Sequence, residues 1–216
     1  MENVNLDFWA LIQQGAISTY PLLACSILVL GVAIERFVAL RGALGSAAKL
    51  TTEVVPLVWQ RGYADAAKRV DGDTATPMGR IFGEVLRSRE NLPVAQLERL
   101  ASDRQFEEVQ GAGAYLWILG TIGAAAPFIG LFGTVVGIIR AFHAMALAGT
   151  GGFGVVAAGI SEALIATALG IAIGIISLVF YNYLQNRVEQ IDAALRIGST
   201  RVLEAVAASR RVDGAV

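Results

Sequence analysis

Charged side chains are scarce in this sequence and are missing altogether from long stretches of it. Only 16% of the 216 residues are charged, against about 25% in a typical soluble domain. No charge occurs in residues 8–34 or 109–139, and residues 141–186 contain only Glu162. Each stretch exceeds the roughly 20 apolar residues that cross a hydrocarbon core of about 30 Å. Because a soluble protein rarely buries three such helices, the sequence predicts an all-α integral membrane protein with three transmembrane helices.

The charge-free stretches place the spans, and the rest of the chain shows helical periodicity interrupted by turn signals. No repeat, low-complexity tract or long linker divides the chain, so we expect a single domain over residues 1–216. A short amphipathic helix is predicted at residues 5–14, with Trp9 at the membrane interface. The predicted spans cover about residues 17–40, 113–146 and 154–186, with long cytoplasmic helical extensions over 41–112 and 187–216.

Turn signals also predict where the cytoplasmic helices begin and end. A turn at residues 71–77, rich in Asp, Gly and Pro, separates a helix near residues 46–70 from a second at about 78–89. A third helix begins with Pro93 in its first turn. Because no turn signal separates that helix from the second span, we expect one long helix that continues into the membrane. The third span should likewise continue into the cytoplasm.

Lysine and arginine are absent from the first 34 residues, which predicts the orientation of the chain. Of the 17 basic residues, 11 lie between Arg36 and Arg104 and five lie from Arg187 onward. Positively charged segments stay on the cytoplasmic side of the membrane. We therefore expect a periplasmic N-terminus and a cytoplasmic C-terminus. The net charge of −1 and the pI near 5.9 give no reason to expect a nucleic-acid partner.

Residues that carry metal or acyl-transfer chemistry are almost absent. The chain has one cysteine, Cys25, and one histidine, His143, and they lie on different predicted spans. A zinc site needs a cluster of such ligands, and nucleophilic catalysis needs a nucleophile beside a base. We therefore expect no enzyme, no metal site and no cofactor.

The second and third spans form a predicted hairpin around a glycine-rich connection at residues 148–154. Its midpoint lies between Thr150 and Gly151, and Thr134 and Thr167 are equally far from that point on opposite arms. At 1.5 Å per residue both threonines lie roughly 20 Å or more from the loop. The spacing therefore puts two hydroxyls at one depth, although each could instead bond to a carbonyl of its own helix.

Small residues are concentrated on one face of each hairpin helix. Such residues let helices approach closely in lipid, where no hydrophobic force drives them together. We expect the chain to form an oligomer, with these faces turned towards a central pore; packing alone is the alternative reading of the small residues. The glycines predicted to pack helices are Gly130, Gly133, Gly137, Gly170 and Gly174.

Glu162 is the only acidic residue between Glu108 and Glu189. A carboxylate inside a membrane span is costly to bury, so we expect it to have a functional role and an interaction partner. Counting outward from the hairpin midpoint puts Arg140 at nearly the level of Glu162. Two interpretations follow: Glu162 handles protons, or it forms a structural ion pair with Arg140 within or between subunits.

Two runs of the hairpin resemble the signatures of a known family. They are APFIGLFGTVVG at residues 126–137 and GISEALIATALG at residues 159–170, followed by Tyr181-Asn182. They resemble the second and third spans of the ExbB/TolQ/MotA proton-channel family, with ExbB and TolQ the most similar members. The resemblance is specific over about residues 112–188 and weaker elsewhere. The family often has proline where this chain has Ala158, and Arg140 is not universal there.

The resemblance implies a proton-conducting subunit of an inner-membrane motor that couples the proton motive force to a TonB-type outer-membrane transport system. It implies a homo-pentamer around a one-span ExbD- or TolR-like partner whose membrane Asp carries the proton, with a TonB- or TolA-like protein beyond. By the family's motif, Thr134 and Thr167 face the pore and Glu162 is the acid of the third span. A TolQ-like subunit of the Tol-Pal system and a gliding or surface-motor stator remain alternatives. A passive membrane scaffold is the alternative of a different class.

Overall fold

The computed structural model describes residues 16–148 and 153–213. Within those two ranges the regular structure is entirely helical, which confirms the predicted fold class. The predicted helix at residues 5–14 and the centre of the hairpin connection lie outside the described residues. The helices are α1 Ala16–Ala39, α2 Ala43–Trp59, α3 Tyr63–Asp71, α4 Pro77–Ser88, α5 Val94–Ala112, α6 Leu116–Ala148 and α7 Phe153–Asp213.

Three stretches are long and apolar enough to cross a membrane, as the charge-free regions predict. They lie within Thr19–Trp59, Leu116–Leu147 and Val156–Arg211. Only 22% to 28% of the most apolar window of each stretch is buried inside the chain. A helix from a soluble core would bury its apolar side chains, whereas these leave them exposed. The chain is therefore a multi-pass membrane protein whose apolar surface faces lipid or other membrane helices.

The chain divides into two compact units, and α7 runs through both. We call the described residues of the first, which spans Met1–Glu35 and Tyr115–Tyr183, the membrane unit. The second spans Arg36–Ala114 and Leu184–Val216, and we call its described residues the bundle unit. The membrane unit contains the apolar parts of α1, α6 and α7, and the bundle unit contains most of the charged residues.

The core of the bundle unit forms around α4. Thr76 caps this helix, because its hydroxyl accepts a hydrogen bond of 3.1 Å from the backbone N–H of Gly79. Phe82 is fully buried at the centre of the helix. Burial of such a side chain contributes roughly 1.5–3 kcal/mol relative to leaving it exposed. The other large core residues of this unit that are almost fully buried are Leu50, Val54, Val58, Met78, Ile81, Leu97, Leu184, Ile191 and Leu195.

The helix predicted near residues 46–70 is two helices, so that prediction was wrong. Arg61 adopts a left-handed conformation, with φ of 61°, between α2 and α3. The N–H of Gly62 donates to the carbonyl of Leu57 at 2.9 Å, and the N–H of Arg61 donates to that of Val58 at 3.0 Å. This pair of bonds is the Schellman pattern that closes a helix. The sequence concealed it because an arginine occupies the left-handed position, where glycine is usual.

The predicted continuous helix from α5 into the second span is also interrupted. Helix α5 ends at Ala112, and Tyr115 has a φ of 64° before α6 begins at Leu116. The N–H of Gly113 donates to the carbonyl of Val109 at 2.9 Å and so closes the end of α5. The corresponding prediction for the third span is confirmed, because α7 is one uninterrupted helix of 61 residues.

Candidate functional site

Helices α6 and α7 of the membrane unit touch through their backbones. A Cβ added to Gly130 would lie 2.8 Å from the carbonyl oxygen of Ala166 and 2.9 Å from the Cα of Thr167. A Cβ added to Gly170 would lie 2.6 Å from the carbonyl oxygen of Ala126 and 3.0 Å from the Cα of Gly130. Only glycine permits so close an approach at either position.

The same contact continues in both directions along the hairpin. Towards the connection, a Cβ on Gly137 would lie 2.7 Å from the Cβ of Ala163. In the other direction, a Cβ on Gly174 would lie 2.9 Å from the ring of Pro127. Gly133 is buried as well. For the glycines in this contact the expected orientation towards a central pore was wrong, because their faces are covered by the neighbouring helix of the same chain.

The hydroxyls of Thr134 and Thr167 are hydrogen-bonded to each other, one turn from the Gly130–Gly170 contact. The Thr167 hydroxyl also lies 3.0 Å from the carbonyl oxygen of Gly130, which can accept its proton. The Thr134 hydroxyl lies 3.2 Å from the carbonyl oxygen of Ala163 and 3.3 Å from that of Gly130. Both side chains are partly buried. The structure therefore brings together the two hydroxyls that equal spacing in the sequence puts at one depth.

This arrangement has two hydrogen-bonding states. Each threonine hydroxyl donates one hydrogen and can accept two. In one state Thr134 donates to Thr167, which donates to the carbonyl of Gly130, so Thr134 keeps two free lone pairs and Thr167 keeps one. In the other, Thr167 donates to Thr134, which donates to the carbonyl of Ala163, so Thr167 keeps two free lone pairs and Thr134 keeps one. The pair can thus reverse direction without losing a hydrogen bond.

Glu162 and Arg140 approach each other without making a direct contact. The positive charge of Arg140 acts on the Glu162 carboxylate through space. None of the salt bridges among the described residues joins the two. Glu162 is half-buried and Arg140 is exposed. The described chain thus lacks the direct ion pair within one subunit, and pairing between subunits stays a prediction.

A third polar side chain in the hairpin was missed by sequence reasoning. Ser177 is fully buried, and its hydroxyl donates a hydrogen bond of 2.8 Å to the carbonyl of Leu119 on the facing helix. Its only signal in the sequence is a serine within an otherwise apolar stretch. A serine there can equally bond to its own helix, so the sequence could not distinguish the two arrangements.

Outside the spans, several charged groups of the bundle unit pair with one another. Arg80 donates to both carboxylate oxygens of Glu108, at 2.6 and 2.5 Å, and these hydrogen bonds raise the pKa of Arg80. Arg69 bonds to Asp73 and Glu53, and these bonds raise the pKa of Arg69. Within the described ranges no three His, Cys, Asp or Glu residues lie close enough to hold a metal ion.

Comparison with known proteins identifies a family and several relatives. The model of the MotA/TolQ/ExbB proton channel family matches residues 73–197. The biopolymer transport protein ExbB of Pseudomonas putida is 42% identical over 118 residues, which cover 55% of this chain and 34% of that protein. The Tol-Pal system protein TolQ of Pseudomonas aeruginosa is 40% identical over 98 residues, which cover 45% of this chain and 41% of that protein.

A longer match joins this chain to a putative biopolymer transport protein, ExbB-like 3, of Synechocystis. It is 31% identical over 170 residues, which cover 78% of this chain and 80% of that protein. By contrast, the matches to the ExbB and TolQ proteins of the two Pseudomonas species span well under half of those proteins.

Proposed function

Because the chain belongs to the MotA/TolQ/ExbB proton channel family, we propose that it is the proton-conducting subunit of an inner-membrane motor. In this proposal the motor couples the proton motive force to a TonB-type transport system of the outer membrane. Relatives named as biopolymer transport proteins support this reading, at 42% to 45% identity in the regions they share. The N-terminus would be periplasmic and the C-terminus cytoplasmic, as the distribution of Lys and Arg indicates.

The hydrogen-bonded threonine pair carries the proposal. A proton crosses a low-dielectric path only where groups can both donate and accept, and the pair does so in two interchangeable directions. A threonine hydroxyl does not ionise at neutral pH, so it can relay a proton but cannot carry one. A titratable group must therefore lie beside the pair. Glu162 lies more than one helical turn from Thr167 along α7. A second chain with a membrane carboxylate would supply the missing group.

The proposed assembly places several copies of this chain around that second chain. The partner would be a one-span ExbD- or TolR-like protein with an Asp in the membrane, in contact with a TonB- or TolA-like protein. The copies would form a homo-pentamer. Large apolar side chains such as Phe128 and Trp117 are exposed on the membrane unit. In the assembly they would pack against neighbouring chains or against lipid.

In this mechanism the two threonines solvate the partner's carboxylate. When it is ionised, the hydroxyl that donates to a backbone carbonyl turns its hydrogen to the carboxylate instead; when it is protonated, a free lone pair of either hydroxyl accepts from it or from a water beside it. Glu162 would attract protons towards the pair, and the positive charge of Arg140 would moderate that attraction. Thr134, Thr167 and Glu162 are thus the proposed proton-pathway residues.

The test replaces the two hydroxyls with methyl groups. We expect a Thr134→Val, Thr167→Val double variant to assemble with its partner but to lose proton conduction in proteoliposomes, because valine keeps the shape and removes the donors. Thr121→Val is the matched control, since Thr121 is an exposed threonine of the same helix. A double variant that assembles and conducts like the control would refute the assignment and favour a passive scaffold.

A TolQ-like role in the Tol-Pal system is the second candidate. TolQ proteins match this chain with 40% and 42% identity, nearly as closely as the ExbB proteins at 42% and 45%. Complementation distinguishes the two roles. Expression of this chain with its partner in a strain without ExbB should restore growth on a nutrient that requires active outer-membrane uptake. Restoration only of envelope integrity in a strain without TolQ would favour the second candidate.

A further inference from the structure

The backbone contact beside the threonine pair differs in kind from the contacts further along the hairpin. At Gly130 and Gly170 an added Cβ would meet backbone atoms at 2.6 to 2.9 Å. Backbone cannot move aside unless a whole helix shifts. At Gly137 an added Cβ would instead meet the Cβ of Ala163 at 2.7 Å, and a smaller residue at position 163 would relieve that clash.

The geometry of the pair depends on that backbone contact. Thr167 follows Ala166, whose carbonyl faces Gly130, and the Thr167 Cα itself lies against Gly130. The Thr167 hydroxyl also reaches across to the Gly130 carbonyl at 3.0 Å. Hydrogen bonds from a hydroxyl to an oxygen have donor–acceptor distances of about 2.5–3.0 Å. A helix shift of even half an ångström at this level would therefore loosen the bonds of the pair.

We propose that Gly130 and Gly170 are positioning residues for proton conduction, because their backbone contact holds the hydroxyls of Thr134 and Thr167 within hydrogen-bond distance. This inference rests on the proposed function of the pair. It adds that conduction is set by the separation of the two helices at one level, and that a single methyl group at either glycine is enough to interrupt it.

The first measurement tests geometry without conduction. In a Cys25→Ala background of the full-length protein with its partner, Thr134→Cys and Thr167→Cys should form a disulfide within one chain on mild oxidation, because that bond needs Cβ atoms about 3.5–4.5 Å apart. We expect Gly170→Ala to abolish this cross-link. A second cysteine pair, Gly123→Cys with Leu178→Cys, reports on a level further along the hairpin and should still cross-link, because a Cβ added to Gly123 would lie 2.7 Å from the Cγ of Leu178.

The second measurement is proton conduction in proteoliposomes, with cysteines absent. Gly170→Ala and Gly130→Ala should each conduct no better than Thr167→Val while assembling normally. The matched control is Gly154→Ala, which adds one methyl group to α7 where nothing lies within 4 Å of the new Cβ and should conduct like the wild type. Gly31→Ala on α1, where nothing lies within 4 Å of the added Cβ, should also leave conduction unchanged.

The outcomes separate the two proposals. Loss of the threonine-level cross-link together with conduction, and retention of the other cross-link, supports positioning. Loss of both cross-links shows that the glycine only stabilises the hairpin and overturns the inference, as does a Gly170→Ala variant that keeps both the threonine-level cross-link and conduction. Loss of the threonine-level cross-link with conduction unchanged would support the geometry but overturn the proposed role of the pair.

Discussion

The membrane unit and the bundle unit are both entirely helical where they are described, yet their helices associate by different means. In the bundle unit, large apolar side chains such as Phe82 fill the space between helices. In the membrane unit, Gly130 and Gly170 let two backbones touch, and large residues such as Phe128 point outward, 71% exposed. Water drives the first kind of packing, whereas lipid is as apolar as leucine and leaves close fit and hydrogen bonds to drive the second.

The two units also differ in how strongly their polar groups constrain the arrangement of the helices. The bundle unit has many charged pairs, most of them partly exposed, and surface pairs contribute only about 0–1 kcal/mol each. Among the described residues of the hairpin, three serine or threonine hydroxyls are buried or half-buried, and two of them bond to each other. In lipid a polar group needs a partner within the protein, so each hairpin hydroxyl limits how the helices can be arranged. A function that depends on arrangement is therefore more sensitive to the hairpin than to the bundle.

The largest expected effect is on core packing in the bundle unit. Phe82→Ala leaves a cavity in a fully buried site and should lower the free energy of unfolding of this unit by about 3–5 kcal/mol. Phe106→Ala, which removes an exposed ring of the same unit, should change it by less than about 0.5 kcal/mol. Limited proteolysis of the full chain in denaturant measures both. A Phe82→Ala variant no less stable than Phe106→Ala would contradict the role of Phe82 at the centre of this core.

A smaller effect is expected from the ion pair at Glu108. Its side chain is only 10% exposed and accepts two hydrogen bonds from Arg80. Glu108→Gln removes the charge and one acceptor, and should cost about 1–2 kcal/mol, reduced from the value for buried charged bonds because Arg80 is 35% exposed. Glu90→Gln is the control, since Glu90 is 76% exposed in its pair with Arg89. If Glu108→Gln leaves the thermal stability unchanged, this ion pair contributes no more than an exposed surface pair.

The pH dependence of that pair follows from the direction of the shift. The hydrogen bonds that Arg80 donates to Glu108 raise the pKa of Arg80, so the stabilising contribution is fully present below the unfolded-state pKa of arginine. It would be lost only as pH rises through the still higher folded-state value. Because arginine titrates far above neutrality, we expect no change in this contribution between about pH 6 and pH 9.

The sequence predicted the hairpin better than it predicted the turns. The positions of Thr134 and Thr167 followed from counting, because a regular helix has a fixed rise per residue and both arms begin at one connection. The helix ends near Arg61 and Tyr115 were missed, since both residues adopt left-handed conformations that side chains other than glycine rarely take. Nothing in the residue types at these two positions marks such a turn.

The orientation of the small-residue faces was predictable only in part. A stripe of glycine and alanine shows that something approaches closely, but it does not show what. Here the neighbouring helix of the same chain covers Gly130, Gly137 and Gly170. The hydrogen bond from Ser177 was likewise outside the reach of sequence, because a serine in a helix can bond to either helix.

The smallest expected effect concerns Ser177 and tests whether every hairpin hydroxyl matters equally. Ser177 is fully buried, donates to one carbonyl, and makes no hydrogen bond to a second side-chain hydroxyl. The Leu119 carbonyl that accepts its proton can keep its own helical hydrogen bond when the serine is removed. Ser177→Ala should therefore cost about 0.6 kcal/mol, the average for a hydrogen bond between membrane helices, and leave proton conduction unchanged.

The conduction of the Ser177→Ala variant should be compared with that of Thr167→Val. Both variants delete one hydroxyl from the same helix, so a difference in conduction between them cannot come from hydroxyl loss alone. It must come from position, because only Thr167 bonds to a second hydroxyl and can exchange donor and acceptor roles with it. Conduction measured side by side in proteoliposomes decides the point. If Ser177→Ala blocks conduction as fully as Thr167→Val, the threonine pair is not the special element of the hairpin, and the proton path must extend along the α6–α7 contact as far as Leu119.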